Sequence, residues 1–290
     1  ALAPPAPAAA TLALAIACFL SYGFGQALTD CFQIDTDSLS SPYRPLVQGA
    51  IRRDHVLMLS IAGLLTSGLI ALWYQPANAA LALLAVIGLA TYTPFKRMWW
   101  GGPLYNAWIV AVLTLIAYGG ALGAAHARPQ WDATLAGTLV AVLFGYAVFV
   151  LAGYYKDVSA DRATGYHTLP VVFGLSRSAW VCDAFATLEL LGVALAAASM
   201  LRRDGISEAH VPGLVLVGAG TIAAVLAQLR LHRVREETEA HRAITPGLHA
   251  YVLLLGGLAA LARPAWAVPI LAFYGAFVLV LRGRPMRQQI

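Results

Sequence analysis

Long runs of apolar residues alternate with short polar segments along the whole chain. Each run reaches the roughly 17 residues that a helix needs to cross a bilayer, so the pattern predicts membrane-spanning helices. Nine spans can be drawn, and only Arg263-Pro264 separates the last two. The predicted spans are residues 8–28, 56–74, 79–95, 104–125, 133–155, 178–200, 211–230, 246–262 and 264–281.

Composition supports this interpretation. Of the 290 residues, 60% are hydrophobic and 11% are charged. A soluble domain carries about 25% charged residues, so this chain has too little polar surface to cover itself in water. We therefore predict an all-α, polytopic membrane bundle of about nine helices around a central cavity, with residues 1–290 forming a single transmembrane domain.

The formal charge of +5 gives a topology signal. The basic residues form no face with interleaved aromatic residues, which argues against nucleic-acid binding. Of the lysines and arginines, 15 lie in alternate loops and the C-terminal tail, and four lie in the opposite loops. The larger set is Arg44, Arg52, Arg53, Lys96, Arg97, Lys156, Arg162, Arg177, Arg230, Arg233, Arg235, Arg242, Arg282, Arg284 and Arg287. By the positive-inside rule these loops and the C-terminus are cytoplasmic, as in a multi-pass protein of a bacterial inner membrane.

Two of these loops are rich in aspartate. "TDCFQIDTDSLSSPYRPLVQG" follows the first span, and "GYYKDVSADRATGYHTLPVVFG" follows the fifth. Each ends in a proline-containing turn and a glycine. Because both lie on the same predicted side, we expect them to face each other across one cavity mouth.

The second loop carries Asp157 and Asp161, which a continuing helix would stack on one face. Two carboxylates suit a hard cation with oxygen ligands, and Mg²⁺ takes one or two of them with water and phosphate oxygens. Lys156 and Arg162 are placed to take up remaining phosphate charge. The alternative is a solvated loop whose acids balance its basic residues.

The first loop carries Asp30 and Asp37, seven residues apart, so a helix would again place them on one face. Asp35 lies off that face. Two acidic loops on one side of a membrane bundle predict a binuclear or trinuclear metal site for a diphosphate. Bound metal would neutralise the leaving group as it departs.

A third element is "YTPFK" at the end of the third span. Tyr92 and Lys96 are one helical turn apart, so both can point into the same cavity. Lys96 would contact phosphate as a point charge, and Tyr92 would form a hydrogen bond. The alternative is an interfacial aromatic residue beside a snorkelling lysine.

Taken in order, these elements resemble the UbiA superfamily of intramembrane prenyltransferases. The family's first signature, Asn-Asp-x-x-Asp-x-x-x-Asp followed by an Arg-Pro-Leu turn, is similar to "TDCFQIDTD" and then "PYRPLVQGAI". Its second signature, Asp-x-x-x-Asp-Arg and a later Leu-Pro, is similar to "DVSADRATGYHTLP". Its Tyr-x-x-x-Lys element is similar to "YTPFK". The segment "PYRPLVQGAI" looks most like the chlorophyll-synthase branch.

The resemblance implies transfer of an isoprenyl group from an isoprenyl diphosphate to a lipophilic or aromatic acceptor. Diphosphate departure leaves an allylic carbocation, which the acceptor captures. On this interpretation Asp30, Asp37, Asp157 and Asp161 hold Mg²⁺. The catalytic residues would be Asp157, Asp161, Tyr92 and Lys96. The residues that bind the diphosphate would be Thr29, Gln33, Arg44, Lys96, Lys156 and Arg162.

The chain departs from the family pattern in the first signature. Thr29 replaces the leading asparagine and Gln33 replaces an aspartate, so this half of the site carries less negative charge. Relatives also usually have a helix before the one that bears this signature, whereas 28 residues precede Thr29. We expect that helix either to precede residue 1 or to be absent from this member.

Two other functions remain open from the sequence. The same fold could act as a terpene cyclase, in which a double bond of the substrate captures the cation. A non-catalytic lipid-binding relative is the third hypothesis. The acids cluster at the predicted membrane edge, whereas transporters more often place charged residues at mid-membrane, and this favours an enzyme.

Overall fold

The structure is a computed structural model that describes residues 5–283. Arg284 and Arg287, which contributed to the predicted cytoplasmic tail, lie outside the described residues. Between residues 5 and 283 the chain forms helices and no strand. The helices are α1 (Ala8–Asp30), α2 (Ile34–Ser40), α3 (Arg53–Tyr74), α4 (Asn78–Lys96), α5 (Gly102–Ala124), α6 (Ala133–Tyr154), α7 (Val158–Ala163), α8 (Leu169–Asp204), α9 (Val211–Leu231), α10 (His241–Ala262) and α11 (Ala267–Arg282).

Nine helices within the described residues are long and apolar enough to cross a membrane, which confirms the predicted all-α membrane fold. Their ends lie within a few residues of the predicted spans, except at the start of α8. The prediction began that span at residue 178, but the helix begins at Leu169 and bends at Gly174. Gly174 has φ 79°, a left-handed conformation that a residue without Cβ adopts readily.

The described chain divides into two compact units. The N-terminal unit comprises the chain up to Pro129 together with Ser159–Thr168, and the C-terminal unit comprises Gln130–Val158 and the chain from Leu169 onward. The second Asp-rich loop is therefore shared, because Asp157 belongs to the C-terminal unit and Asp161 to the N-terminal unit. The prediction of a single domain stays a prediction.

Small residues set the helix packing within each unit. In the N-terminal unit a Cβ on Gly63 would lie 2.3 Å from the Phe24 ring, so α1 and α3 meet closely there. In the C-terminal unit a Cβ on Gly137 would lie 2.6 Å from the backbone nitrogen of Ala196. Such close backbone approach is how helices associate where lipid offers no hydrophobic driving force.

Large apolar side chains cover much of the outside. Leu65 and Leu69 on α3 are 63% and 67% exposed, and Leu279 and Val280 on α11 are 70% and 77% exposed. Surfaces of this kind would aggregate in water but match the hydrocarbon of a bilayer. The exposed apolar belt therefore agrees with an integral multi-pass membrane protein.

Candidate functional site at the Asp-rich loops

The first Asp-rich loop begins where α1 ends. The α1 helix stops at Asp30, and α2 begins at Ile34 after Gln33 leaves the helical conformation with φ −124° and ψ 19°. The expectation that Asp30 and Asp37 share one helical face is therefore wrong, because they lie on two different helices. Short polar residues such as Asp and Thr at this point compete for backbone hydrogen bonds and favour a break.

Arg44 brings the two acids together. Its Nη1 lies 3.0 Å from Asp30 Oδ1 and 2.6 Å from Asp37 Oδ2. Burial by itself lowers the pKa of the Arg44 guanidinium, but the charges of Asp30 and Asp37 outweigh burial and hold that pKa above its ordinary value. Arg44 is thus a permanent cation that both carboxylates share.

Lys96 ends α4 and lies inside the N-terminal unit. Its side chain is buried, and Nζ donates a hydrogen bond to Gln33 Oε1 at 2.6 Å. The same ammonium lies 5.3 Å from the centre of the Tyr166 ring, within cation–π range. Gln33 is a neutral acceptor, so it orients Lys96 without neutralising its charge.

The second loop also changes helix between its two acids. The α6 helix ends at Tyr154, and the new helix α7 begins at Val158, directly after Asp157. The expected continuation of α6 through both acids is therefore wrong. Asp161 is wholly buried, and its Oδ2 accepts a hydrogen bond from Thr168 Oγ1 at 3.0 Å.

Within the N-terminal unit, the first loop contacts Ser159–Thr168, the part of the second loop that belongs to this unit. That the two loops face each other across a cavity mouth stays a prediction. Thr36 Oγ1 and Thr164 Oγ1 are 3.0 Å apart. Since Thr164 donates its hydroxyl proton to the Ala160 carbonyl at 2.8 Å, Thr36 is the donor to Thr164. His167 N–H donates to the Arg97 carbonyl oxygen at 2.9 Å, which ties the second loop to the end of α4 as well.

The remaining predicted residues have mixed environments. Tyr92 is buried one turn before Lys96 on the same helix, which agrees with the spacing argument. Thr29 is buried and donates its hydroxyl to the Gln26 carbonyl at 2.9 Å, so only its lone pairs remain for a ligand. Lys156 Nζ lies 3.5 Å from Asp157 Oδ1, and Arg162 is exposed.

Sequence reasoning missed three side chains of this site. Tyr166 is wholly buried, with the guanidinium of Arg97 4.7 Å from its ring centre in addition to Lys96. Thr168 holds Asp161, and Thr36 links the loops. The segment "GYHTLP" contains two of them, and its polar and aromatic residues directly after the second Asp-rich signature were the available signal.

The two acids of the first loop are placed to share one cation. No cluster of three or more His, Cys, Asp and Glu side chains that could hold a metal ion occurs in residues 5–283. Asp30 and Asp37 are nevertheless close enough to share one guanidinium nitrogen, and hence one cation. The buried Asp157 Oδ1 accepts no hydrogen bond in the described chain, although the Lys156 ammonium lies 3.5 Å from it. Mg²⁺ needs only one or two carboxylates beside phosphate and water, so these residues fit it.

A groove of about 940 Å³ opens beside the first loop, among α1, α3 and α4 of the N-terminal unit. Thr29 and Arg97 stand at its polar end. The rest of its wall is almost entirely apolar, including Leu57, Ile61 and Leu89. A long hydrocarbon chain is the kind of ligand that such a surface suits.

Comparison with known proteins identifies the family. The sequence model of the UbiA prenyltransferase family matches residues 1–253. This match covers well over half of the chain and includes both Asp-rich loops. The chain belongs to the UbiA prenyltransferase family.

Curated relatives within the family have two different names. Digeranylgeranylglyceryl phosphate synthase of Natronomonas pharaonis is 29% identical over 185 residues, 61% of each chain. Chlorophyll synthase of Arabidopsis thaliana is 28% identical over 191 residues, 59% of this chain and 46% of the relative. The chain thus spans about half to three-fifths of the length of these relatives.

Two solved structures share the fold. One, described as concerning digeranylgeranylglyceryl phosphate synthase in membranes, superposes with a TM-score of 0.60 at 17% identity and covers 89% of this chain and 87% of that one. The other, a UbiA homologue from Archaeoglobus fulgidus, has a TM-score of 0.57 at 20% identity and covers 90% of each chain. At these identities the comparison establishes the fold alone.

Proposed function

We propose that this protein transfers an isoprenyl group from an isoprenyl diphosphate to a lipophilic or aromatic acceptor. The observation that supports the proposal is the contact, within the N-terminal unit, of the first Asp-rich loop with Lys96 and with the Ser159–Thr168 part of the second loop. Membership of the UbiA prenyltransferase family agrees with it. The activity, the substrates and the acceptor are all part of the proposal.

In the proposed reaction the C1–O bond of the isoprenyl diphosphate breaks, and its electron pair leaves with the diphosphate. The acceptor then supplies an electron pair to C1 and loses a proton. Lys96, Arg44, Lys156 and Arg162 are assigned to hold the diphosphate, with Thr29 and Gln33 as neutral contacts. Tyr92 is assigned a hydrogen bond to the same group.

Asp30, Asp37, Asp157 and Asp161 are the proposed ligands of Mg²⁺. When bound, the ion would act as a Lewis acid that neutralises the diphosphate leaving group. Around it, Thr168 keeps Asp161 oriented and Arg44 keeps the two first-loop acids together. The apolar groove beside Thr29 offers walls for an isoprenyl chain.

The acceptor class stays open between two chemistries. The curated relatives are named for glyceryl-phosphate and chlorophyll products at nearly equal identity, so the predicted chlorophyll-synthase branch stays a prediction. Both names describe lipid-soluble products. We therefore propose a lipophilic acceptor without choosing the branch.

The proposed location is a bacterial inner membrane, with the Asp-rich loops and the C-terminus in the cytoplasm. The asymmetry of basic residues between alternate loops supports this orientation. Labelling of single cysteines from either side of intact cells would test it. A cysteine at position 162 should react only with a reagent that enters the cytoplasm.

The decisive experiment incubates the purified protein with labelled geranylgeranyl or farnesyl diphosphate, Mg²⁺ and a panel of lipophilic acceptors. We expect diphosphate release that is lost on chelation of Mg²⁺ and on changing Asp161→Asn. A labelled, acceptor-linked product establishes transfer. A cyclic hydrocarbon formed without acceptor would identify the cyclase instead, and binding without release would identify a lipid-binding relative.

A further inference from the structure

Three arginines surround a second cavity, far along the chain from the Asp-rich signatures. It has a volume of about 550 Å³ and lies in the C-terminal unit, where α9 ends and α10 begins. Its polar lining consists of Arg230, Arg233, Glu239, His241, Arg242 and Thr245. We propose that this cavity binds the headgroup of an anionic phospholipid, independently of the proposed transferase function.

The cavity keeps a net positive charge. Arg230 Nη1 donates to the Arg242 carbonyl oxygen at 3.2 Å, which holds the side chain without neutralising it. Neither Arg230 nor Arg233 forms an ion pair within the described part of the chain. The one lining acid, Glu239, instead binds Arg242 Nη1 at 3.3 Å and the Arg235 backbone N–H at 3.0 Å.

The cavity rests on a rigid helix pair. A Cβ on Gly220 would lie 2.8 Å from Leu254 Cγ, and a Cβ on Gly257 would lie 2.8 Å from the Val217 backbone nitrogen. These contacts show α9 and α10 packed backbone against side chain. The loop between them is also ordered locally by a short 3₁₀ helix, Glu237–Glu239. The two helices whose ends line the cavity are therefore closely packed against each other.

Hydrocarbon-facing surface continues directly from the basic cavity. Val225, Leu226 and Leu229, in the turns of α9 that lead to Arg230, are 48%, 43% and 53% exposed. A phospholipid presents the complementary arrangement, a negative headgroup joined to apolar chains. Basic pockets at the ends of membrane helices favour anionic lipids for this reason. Free phosphate would satisfy only the cavity and leave the apolar surface unused.

Arginines in this loop also fit the topology rule, which requires only that positive charge lie near the end of a span. That rule does not predict that the guanidinium groups line one cavity. Nor does it predict that Glu239 binds Arg242 and the Arg235 backbone N–H instead of Arg230 or Arg233. The geometry therefore points to a lipid site.

The test titrates the full chain in detergent with dioctanoyl phosphatidylglycerol and, separately, with dioctanoyl phosphatidylcholine, and counts bound lipid by native mass spectrometry. The anionic lipid should bind at least about tenfold more tightly. Changing both Arg230→Gln and Arg233→Gln should weaken its binding about tenfold or more. Each of the two arginines is expected to contribute up to about tenfold to the affinity for the anionic lipid. The matched control, Arg128→Gln with Arg202→Gln, removes the same charge elsewhere and should leave binding unchanged.

Two further variants keep the test independent of folding. Arg230→Lys with Arg233→Lys preserves the charge and should retain most of the binding, whereas Glu239→Gln should strengthen it. Equal binding of the two lipids, or an equal loss in the control variant, would overturn the proposal. Complete displacement of the lipid by inorganic phosphate at a similar concentration would also overturn it, because free phosphate would then be the ligand.

Discussion

The two Asp-rich loops resemble each other in sequence but hold their acids by different means. In the first loop, Asp30 and Asp37 share the positive charge of Arg44. In the second, the wholly buried Asp161 accepts a hydrogen bond from the neutral hydroxyl of Thr168. An arginine brings a positive charge to the first-loop acids, whereas Thr168 orients Asp161 through a neutral hydroxyl. We propose that the wholly buried Asp161 makes the second loop the stronger half of the metal site.

The difference extends to the positions where this chain departs from its family. Gln33 stands where the family pattern has an acid, and its amide oxygen accepts a hydrogen bond from Lys96. At position 33 the first loop therefore offers a hydrogen bond to Lys96, where the family pattern has an acid that could bind metal. It is suited to hold a lysine towards a diphosphate, and the second loop is suited to hold metal.

The largest expected effect tests which loop carries the metal. Asp161→Asn keeps the shape of the side chain and can still accept the Thr168 hydrogen bond, but it removes the charge. We expect Mg²⁺-dependent diphosphate release to fall about a thousandfold, in the range seen when charge stabilisation is lost at a reacting centre. The matched change in the first loop, Asp37→Asn, should cost about ten- to a hundredfold.

Both variants should retain their helical circular dichroism and elute as the unmodified protein does in detergent. If Asp37→Asn proved as damaging as Asp161→Asn, the two loops would be equal partners and the comparison would fail. Retained turnover in Asp161→Asn would refute the assignment of Asp161 as a ligand of Mg²⁺.

Arg44 gives the next prediction, because it should matter most when metal is absent. Arg44→Ala removes the guanidinium that lies 2.6 Å from the largely buried Asp37 carboxylate. We expect a loss of stability of about 1–2 kcal/mol without Mg²⁺, less than for a fully buried pair because Arg44 and Asp30 are about a third exposed. Thermal unfolding in detergent, with and without Mg²⁺, measures it.

Added Mg²⁺ should stabilise Arg44→Ala more than the unmodified protein, since the ion would replace the missing guanidinium. Arg44→Lys serves as the control and should recover part of the loss, because an ammonium keeps the charge but not the guanidinium geometry. An equal Mg²⁺ response in all three proteins would show that Arg44 and metal do not share the two carboxylates.

The contact between the loops can be tested by a double-mutant cycle. Thr36→Val removes the donor and Thr164→Val the acceptor of the hydrogen bond that joins the two loops. We expect each change to destabilise the protein by about 1 kcal/mol, and the pair to show a coupling energy of about 0.5–1 kcal/mol. Thr114→Val, which breaks only a hydrogen bond within α5, is the uncoupled control.

Most of the fold could be predicted because it depends on apolar run length. Each span of about 20 apolar residues must form a helix in lipid, where unpaired backbone groups are costly. The nine predicted spans therefore followed from the length and position of the apolar runs. The start of α8 could not be obtained in this way. The turn of helix before Gly174 is apolar, but it contains Pro170 and is separated from the predicted span by Gly174 and Arg177, so the span was begun after them.

The site could be predicted only in part, for a related reason. The acids and Lys96 were recognisable from their spacing, but their geometry was inferred from continuous helices that the chain does not form. The helices α1 and α6 end at Asp30 and Tyr154, and the spacing of the acids does not show these ends. The contact of Tyr166 with Lys96 joins segments far apart in the chain, and the contacts of Thr168 and Arg44 with acids seven residues away depend on loop geometry that spacing alone does not reveal.

The last prediction, with the smallest expected effect, tests whether Gln33 binds metal or positions Lys96. If this position still served metal, as the family pattern implies, Gln33→Glu would lower the Mg²⁺ concentration that gives half-maximal activity. The structure favours the other role, because the 2.6 Å hydrogen bond would become an ion pair that draws Lys96 away from the diphosphate. We therefore expect the KM for the isoprenyl diphosphate to rise about three- to tenfold while the Mg²⁺ requirement stays within about twofold.

Thr29→Asn is the matched control for Gln33, since it restores the other family residue without touching Lys96. Its side chain can offer metal an additional carbonyl oxygen, so any change should appear in the Mg²⁺ requirement and not in the KM for the diphosphate. Opposite responses of the two variants would assign Gln33 to Lys96 and Thr29 to the metal side of the loop. Identical responses would mean that Thr29 and Gln33 act on the same ligand. The assignment of Gln33 to Lys96 and of Thr29 to the metal would then be wrong.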